Sequence, residues 1–101
     1  MKLLTKELEN KLPSIEEAKA SKDPVLKEKY FHPLSNWSWF AAGYNDGLFW
    51  GLVDGEFVET GLFSLEEMKS VKLNGLGIER DLHFDPKPMS EVRQEIKGRS
   101  R

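Results

Sequence analysis

The residues best equipped for chemistry lie towards the C-terminal end, where Glu79, Asp81, His83 and Asp85 alternate with Ile78, Arg80, Leu82 and Phe84. Alternation of this kind predicts a strand, on which the three carboxylates and the imidazole would share one face at about 7 Å intervals. Such a row has the donor types for a divalent cation, or for a general acid and base working as a pair. Ligands spaced along one flat strand diverge, however, and a cation needs others converging from a second element. The row is therefore expected to be a polar strand face or interaction patch, with no catalytic, cofactor or metal role assigned.

Other catalytic patterns do not occur in the sequence. His32 and His83 are the only histidines, and neither belongs to a Ser-His-Asp or nucleophile-elbow arrangement. His32, beside Pro33, is expected to close a strand end. Gly43, Gly47, Gly51, Gly55 and Gly61 are scattered among turns and strands and form no phosphate-binding loop. With no cysteine there is neither a disulfide nor a thiolate metal site. The expectation is a protein that is not an enzyme and carries no cofactor.

The 101 residues hold 15 Lys and Arg against 17 Asp and Glu, which describes one small domain over residues 1–101. Its ordered part is expected to run from about residue 3 to about residue 97. The longest apolar stretch, Leu48–Val53, falls far short of the roughly 20 residues of a membrane helix, and Met1–Leu4 lacks a signal-type apolar region. A cytoplasmic protein without membrane association is expected. A net charge of −2 speaks against a dedicated duplex-binding role.

That small total hides an uneven distribution. Residues 36–70 carry one Lys against six acidic residues, while the flanking segments are slightly basic. The same middle block contains Trp37, Trp39, Phe40, Tyr44, Phe49, Trp50, Phe57 and Phe63, eight of the eleven aromatics.

The elements that must position these groups follow from periodicity and capping. Leu4, Leu8, Leu12 and Ile15 predict a short amphipathic helix with Thr5 as N-cap and Pro13 ending it. Ser14 and Glu17 form the S-x-x-E pattern of a second short turn, and Ala18–Pro24 is expected to be an exposed loop. Val25–Phe31 is expected to be an edge strand protected by Lys27, Glu28 and Lys29. Asn36–Ala42 predicts a strand, Gly43–Gly47 a reversal, and Leu48–Val53 the next strand. Asp54-Gly55 predicts a two-residue type I′ turn into Glu56–Phe63.

With that turn, Leu52 would face Phe57, Gly51 would face Val58, and Trp50 would face Glu59. One face of the hairpin would carry Leu48, Trp50, Leu52, Phe57 and Phe63, the other Phe49, Val53, Val58 and Leu62. Both are apolar, so the hairpin is expected to be covered on both sides. Trp39 is expected to lie over Gly51. Ser64-Leu65-Glu66-Glu67 is a capping box for a helix ending near Val71, and Ser90 is expected to cap a final helix through Lys97, with Gly98–Arg101 fraying. The fold class is α+β: a small, mainly antiparallel sheet of four to five strands, with short helices at the N-terminus, after the central hairpin and at the C-terminus.

Several of these segments, in this order, resemble a bacterial family of small domains of unknown function. They are Leu3–Leu8, Phe31-His32-Pro33, Asn36–Phe40, Asp46–Gly51, Gly61–Glu67 and Ile78–Phe84. Members of that family often occur on plasmids, phages and integrative elements. The resemblance spans nearly the whole chain and implies a single compact domain in a mobile-element setting. It brings no established catalytic residue or ligand.

Two binding modes suit the acidic aromatic centre. A protein partner with a basic surface would be met by an aromatic patch rimmed with carboxylates, for which Phe49, Asp54, Glu56, Val58, Glu59, Glu66 and Glu67 are the candidate contacts. Within the setting that the resemblance implies, this is expected to be a host or element-encoded protein, in the sharpest form a restriction or CRISPR nuclease that the chain inhibits. The alternative is a nucleic-acid-associated module that stacks single strands on the Trp-rich sheet or uses the basic termini. It ranks second, because base stacking works alongside basic residues and the middle block offers one Lys.

Overall fold

The computed structural model describes residues 1–99. Two short helices open the chain, α1 (Lys6–Lys11) and α2 (Ile15–Ala20). The caps are those the residue types dictate. Thr5 accepts from the Leu8 amide, and Ser14 and Glu17 form a reciprocal capping box. Ser14 thereby holds the Glu17 carboxyl below its ordinary range, first by its amide and then by its hydroxyl. The helix α2 runs through the first part of the expected loop Ala18–Pro24, and Ala18 is buried. Its burial depends on Gly43: a Cβ there would lie 2.8 Å from the Ser14 carbonyl oxygen and 3.0 Å from the Ala18 Cβ. Gly43 is thus a site of close helix–strand approach rather than part of the reversal.

Five antiparallel strands form the main sheet in the order β5-β4-β3-β2-β6: β2 (Glu28–Phe31), β3 (Ser38–Asn45), β4 (Leu48–Asp54), β5 (Val58–Ser64) and β6 (Glu79–Arg80). The expected edge strand is divided into β1 (Val25–Leu26), which pairs with β7 (Lys87–Pro88), and β2. Contrary to expectation, β2 is not the border, since β6 pairs with Tyr30 and Phe31. The strand β3 extends to Asn45, and only Asp46 and Gly47, both at positive φ, make the turn. Asn74 and Gly75 make another such turn. An extra residue, Ala42, bulges β3 between the pairs Ala41–Gly51 and Gly43–Trp50.

The expected Asp54-Gly55 type I′ turn does not form. Asp54 instead pairs with Val58 across a loop of Gly55, Glu56 and Phe57, and Gly55 does not have positive φ. The Trp37 indole occupies the space where a Gly55 Cβ would be, so a side chain there would have to displace that partly exposed ring. The register is shifted accordingly. Leu52 pairs with Thr60, Gly51 with Gly61 and Trp50 with Leu62. A three-residue shift inverts the faces of β5, so Phe63 joins Phe49 while Val58 and Leu62 join Trp50 and Leu52. Nor does Trp39 cover Gly51. Trp39 pairs with Val53, and backbone atoms of Phe40 and Ala42 crowd Gly51.

Both faces of the sheet carry a core, but the second is covered only in part, and Leu48, Val58 and Leu62 of the hairpin stay exposed on it. On one, Tyr30, Ala41, Phe49 and Phe63 pack with Leu3, Leu12, Ile78 and with Met68 of α3 (Leu65–Ser70). On the other, Phe40, Ala42 and Leu52 pack with Ala18, Leu26 and with Met89, Val92 and Ile96 of α4 (Met89–Arg99). Ser64 caps α3 by accepting from the Glu67 amide, but the return bond from the Glu67 side chain, present in the α2 box, is not made. Ser90 does not cap α4 with its own side chain. It sits inside the helix, and both its hydroxyl and its amide donate to Asp23, which acts as a cap from 67 residues away and is held below its ordinary pKa by those bonds, the hydroxyl first. The helix continues two residues past Lys97 to Arg99; the rest of the expected fraying, at Ser100 and Arg101, lies outside the described residues.

Tyr30 links this core to the N-terminal segment, its buried hydroxyl donating to the Leu3 carbonyl at 2.7 Å. Burial, reinforced by the charge of Glu28, pushes its phenol well above the ordinary value near 10. Above that value the unfolded chain releases the proton while the folded chain retains it. The stabilisation is therefore complete below about pH 10 and falls as pH rises, by up to about 1.4 kcal/mol per pH unit. Urea denaturation between about pH 9 and 11 should show this loss, and Tyr30→Phe should flatten it. Equal slopes in the two proteins would refute the assignment.

Candidate functional site

The expected polar row does not form as a strand: Asp81, His83 and Asp85 line one groove together with Lys29, Lys87 and Arg99, and Glu79 lies apart from it. Only Glu79 lies in β6; after Arg80 the chain turns, with Asp81 Oδ1 accepting from the His83 amide and Asp81 Oδ2 3.9 Å from Lys29. Glu79, Asp81, His83 and Asp85 therefore do not share a strand face, because the strand expected to align them is two residues long. Among the described residues, no three His, Cys, Asp or Glu side chains are grouped to hold a metal ion.

The other histidine is structural. His32 is buried, its Nδ1 accepting from the Leu34 amide at 3.1 Å and its Nε2 2.9 Å from the Leu76 carbonyl. The Leu34 bond requires an unprotonated Nδ1, so Nε2 carries the proton and donates to Leu76. The ring thereby ties the end of β2 to the Asn74-Gly75 turn.

The candidate acidic contacts separate into two groups. Glu66 and Glu67 stand with Asp46 where β4 begins and β5 ends, joined by the bond from the Leu65 amide to the Gly47 carbonyl. Asp54, Glu56 and Glu59 lie at the other end, about 20 Å away along strands of this length. Nor do all of these point to a free surface. Asp54 is 3.5 Å from Arg99, and Asp54, Glu56 and Val58 line a groove with Arg93 and Lys97 of α4. The acidic centre thus meets the chain's own basic end. Phe49, expected among the partner contacts, is 0% exposed and belongs to the core, in ring contact with Tyr30, Tyr44 and Phe63.

What remains open is the outer edge of the sheet. No strand pairs with the outer side of β5 among the described residues. Beside it, Leu62 is 58% exposed, Leu48 and Val58 are also exposed, and Trp50 is half-buried, all on one face by the observed register. Phe57, 69% exposed, stands at the loop tip. Edge strands usually carry Lys, Pro or a bulge against pairing, whereas β5 has Glu59 as its single charged residue. This edge and the apolar strip along it can receive an extended segment through backbone hydrogen bonds, with side-chain contacts at alternate positions. Val58 and Glu59 were legible as candidates; Leu48 and Leu62 were not. The available signal was Phe49 and Phe63, large apolar residues that pair directly only in the observed register.

No helix among the described residues is long and apolar enough to cross a membrane. Among curated proteins and among solved structures, none matches the chain. A family described as "Protein of unknown function (DUF2958)" matches residues 3–97, the span that contains both helical layers and the whole of the sheet. Over that span the chain belongs to the DUF2958 family.

Proposed function

We propose that the protein is a non-enzymatic binding module that engages a protein partner along the exposed edge of β5. The observation that carries this is the apolar strip of Leu48, Val58 and Leu62 beside an unpaired and weakly protected strand. Exposed apolar surface of this kind on a small domain favours association. The partner is an extended segment with apolar residues at alternate positions, and basic residues placed to meet Glu56 and Glu59 would complement the acidic end. A bacterial mobile-element accessory protein, in its sharpest form an inhibitor of a restriction or CRISPR nuclease, is the specific version; its support is the setting that the resemblance implies. A cytoplasmic location accords with that role.

Affinity capture from the host is expected to yield one protein in stoichiometric amount. Leu62→Glu should abolish its recovery, and charge reversal at Glu56 and Glu59 should reduce it, while circular dichroism and melting temperature stay unchanged. Equal recovery with folded Leu62→Glu would overturn the proposal.

A single-strand-binding reading has one observation behind it. Trp37 is exposed and lies over Gly55, which lines the groove shared with Arg93 and Lys97, so a stacking surface stands near cations. Asp54 and Glu56 line the same groove and oppose it. Quenching of tryptophan fluorescence by an oligonucleotide at low salt, weakening as salt rises, would favour this reading over the first.

A further inference from the structure

Away from β5, at the β2–β6 end of the sheet, the structure contains a groove of about 720 Å³, within the range of small-molecule sites. Its apolar lining comes from Leu8, Val25, Leu82, Phe84 and Pro86. Leu82 is 63% exposed and Val25 is also exposed, so a substantial part of that lining faces solvent.

Lys11, Lys27 and Arg80 bring three positive charges to the same groove. Among the described residues, none of the three forms an ion pair with a carboxylate. Lys27 Nζ donates to the Lys11 carbonyl at 3.2 Å, and Arg80 Nη1 to the Lys2 carbonyl at 2.7 Å, bonds that place the cations without neutralising them.

Two acidic residues also line the groove. Asp81 is engaged by Lys29 and by the His83 amide. Among the described residues the half-buried Glu28 finds no side-chain hydrogen bond or ion pair; burial pushes its carboxyl up, against the pull of Arg80 and Lys11. The cations outnumber the carboxylates, and the apolar lining requires a ligand with hydrocarbon or aromatic surface.

We propose that this groove binds a small amphipathic carboxylate, with its acidic group among Lys11, Lys27 and Arg80 and its apolar body against Leu82, Val25 and Phe84. The site is independent of the β5 edge. A carboxylate supplies the charge that the three cations lack, and its apolar body removes Leu82 and Val25 from water. Glu28 opposes the ligand's charge, so its neutral amide variant should bind more tightly.

The test titrates the whole chain with decanoate, below its micelle-forming concentration, by calorimetry and by melting temperature. Decanol serves as the uncharged control, acetate as the control without an apolar body, and anionic lipid vesicles as the membrane source of the same chemistry. Decanoate should raise the melting temperature by several degrees, whereas decanol and acetate should not. Lys27→Glu and Leu82→Asp should each weaken decanoate at least tenfold, and Glu28→Gln should tighten it severalfold. Leu82→Asp changes an exposed side chain and keeps the test valid if Lys27→Glu fails to fold. No binding of decanoate, an equal effect of decanol, binding to vesicles alone, or unchanged affinity in folded Leu82→Asp would each overturn the proposal.

Discussion

Replacing Gly51 by alanine is expected to lower the melting temperature by about 15 °C or more, while the same change at Gly61, its partner across the ladder, should leave the melting temperature unchanged or raise it slightly. The two glycines pair directly between β4 and β5 and differ only in what surrounds them. A Cβ at Gly51 would collide with the Phe40 carbonyl and lie 3.1 Å from the Ala42 nitrogen. These are backbone atoms beside the Ala42 bulge, and they cannot rotate aside as a side chain can. Overpacking that side chains can absorb costs about 1–3 kcal/mol. A clash with a central strand should exceed about 3 kcal/mol, a large share of the roughly 5–15 kcal/mol that holds a domain of this size. At Gly61 nothing lies within 4 Å of the added methyl group, and φ is not positive. Relief of backbone entropy there is worth up to about 1 kcal/mol. Thermal and urea denaturation of both variants decides the matter; a Gly51→Ala protein melting within a few degrees of the parent would show that the bulge can yield.

Phe49→Ala is the second large effect. Phe49 is fully buried, stacked on Phe63 with ring centroids 5.1 Å apart and in tilted contact with Tyr44 at 4.9 Å and Tyr30 at 5.5 Å. Truncation removes the transfer free energy of the ring, leaves a cavity among three aromatics and ends each pairwise contact, for a total of about 3–5 kcal/mol. For a chain of this length that corresponds to a fall of about 15–30 °C in melting temperature. Phe57→Ala, at the exposed loop tip, should change it by no more than a degree or two, since that ring is already in water. Similar losses for the two variants would contradict the observed assignment of Phe49 to the core.

The two rings also show where the sequence could be read and where it could not. Phe49 and Phe57 are the same residue type in one hairpin, both bordered by apolar residues and turn formers. Composition does not distinguish them; the β4–β5 register does. Asp46-Gly47, Asp54-Gly55 and Asn74-Gly75 all carry the dipeptide signal for a tight turn, yet only the first and third adopt it. Trp37, eighteen positions before Gly55, crowds the second and accompanies a longer loop. The same limit applied to the candidate site. Glu79, Asp81, His83 and Asp85 alternate as a strand would, but two residues pair and an Asx turn takes over.

The features that the sequence determined by itself are those whose partners lie within a few residues. The caps at Thr5, Ser14 and Ser64 bond to amides three positions away, and the apolar periods of the strands follow from residue type alone, whereas the expected cover on both sides of the hairpin is incomplete at Leu48, Val58 and Leu62. The α+β class follows from these. Only the tertiary structure decided the β4–β5 register, the cap that Asp23 supplies to α4, the meeting of the acidic hairpin end with Arg93 and Arg99, and the exposure of Leu62. Each depends on a contact between segments distant in sequence. Because strand side chains alternate with a period of two, an odd shift in one such contact moves a whole row from core to surface.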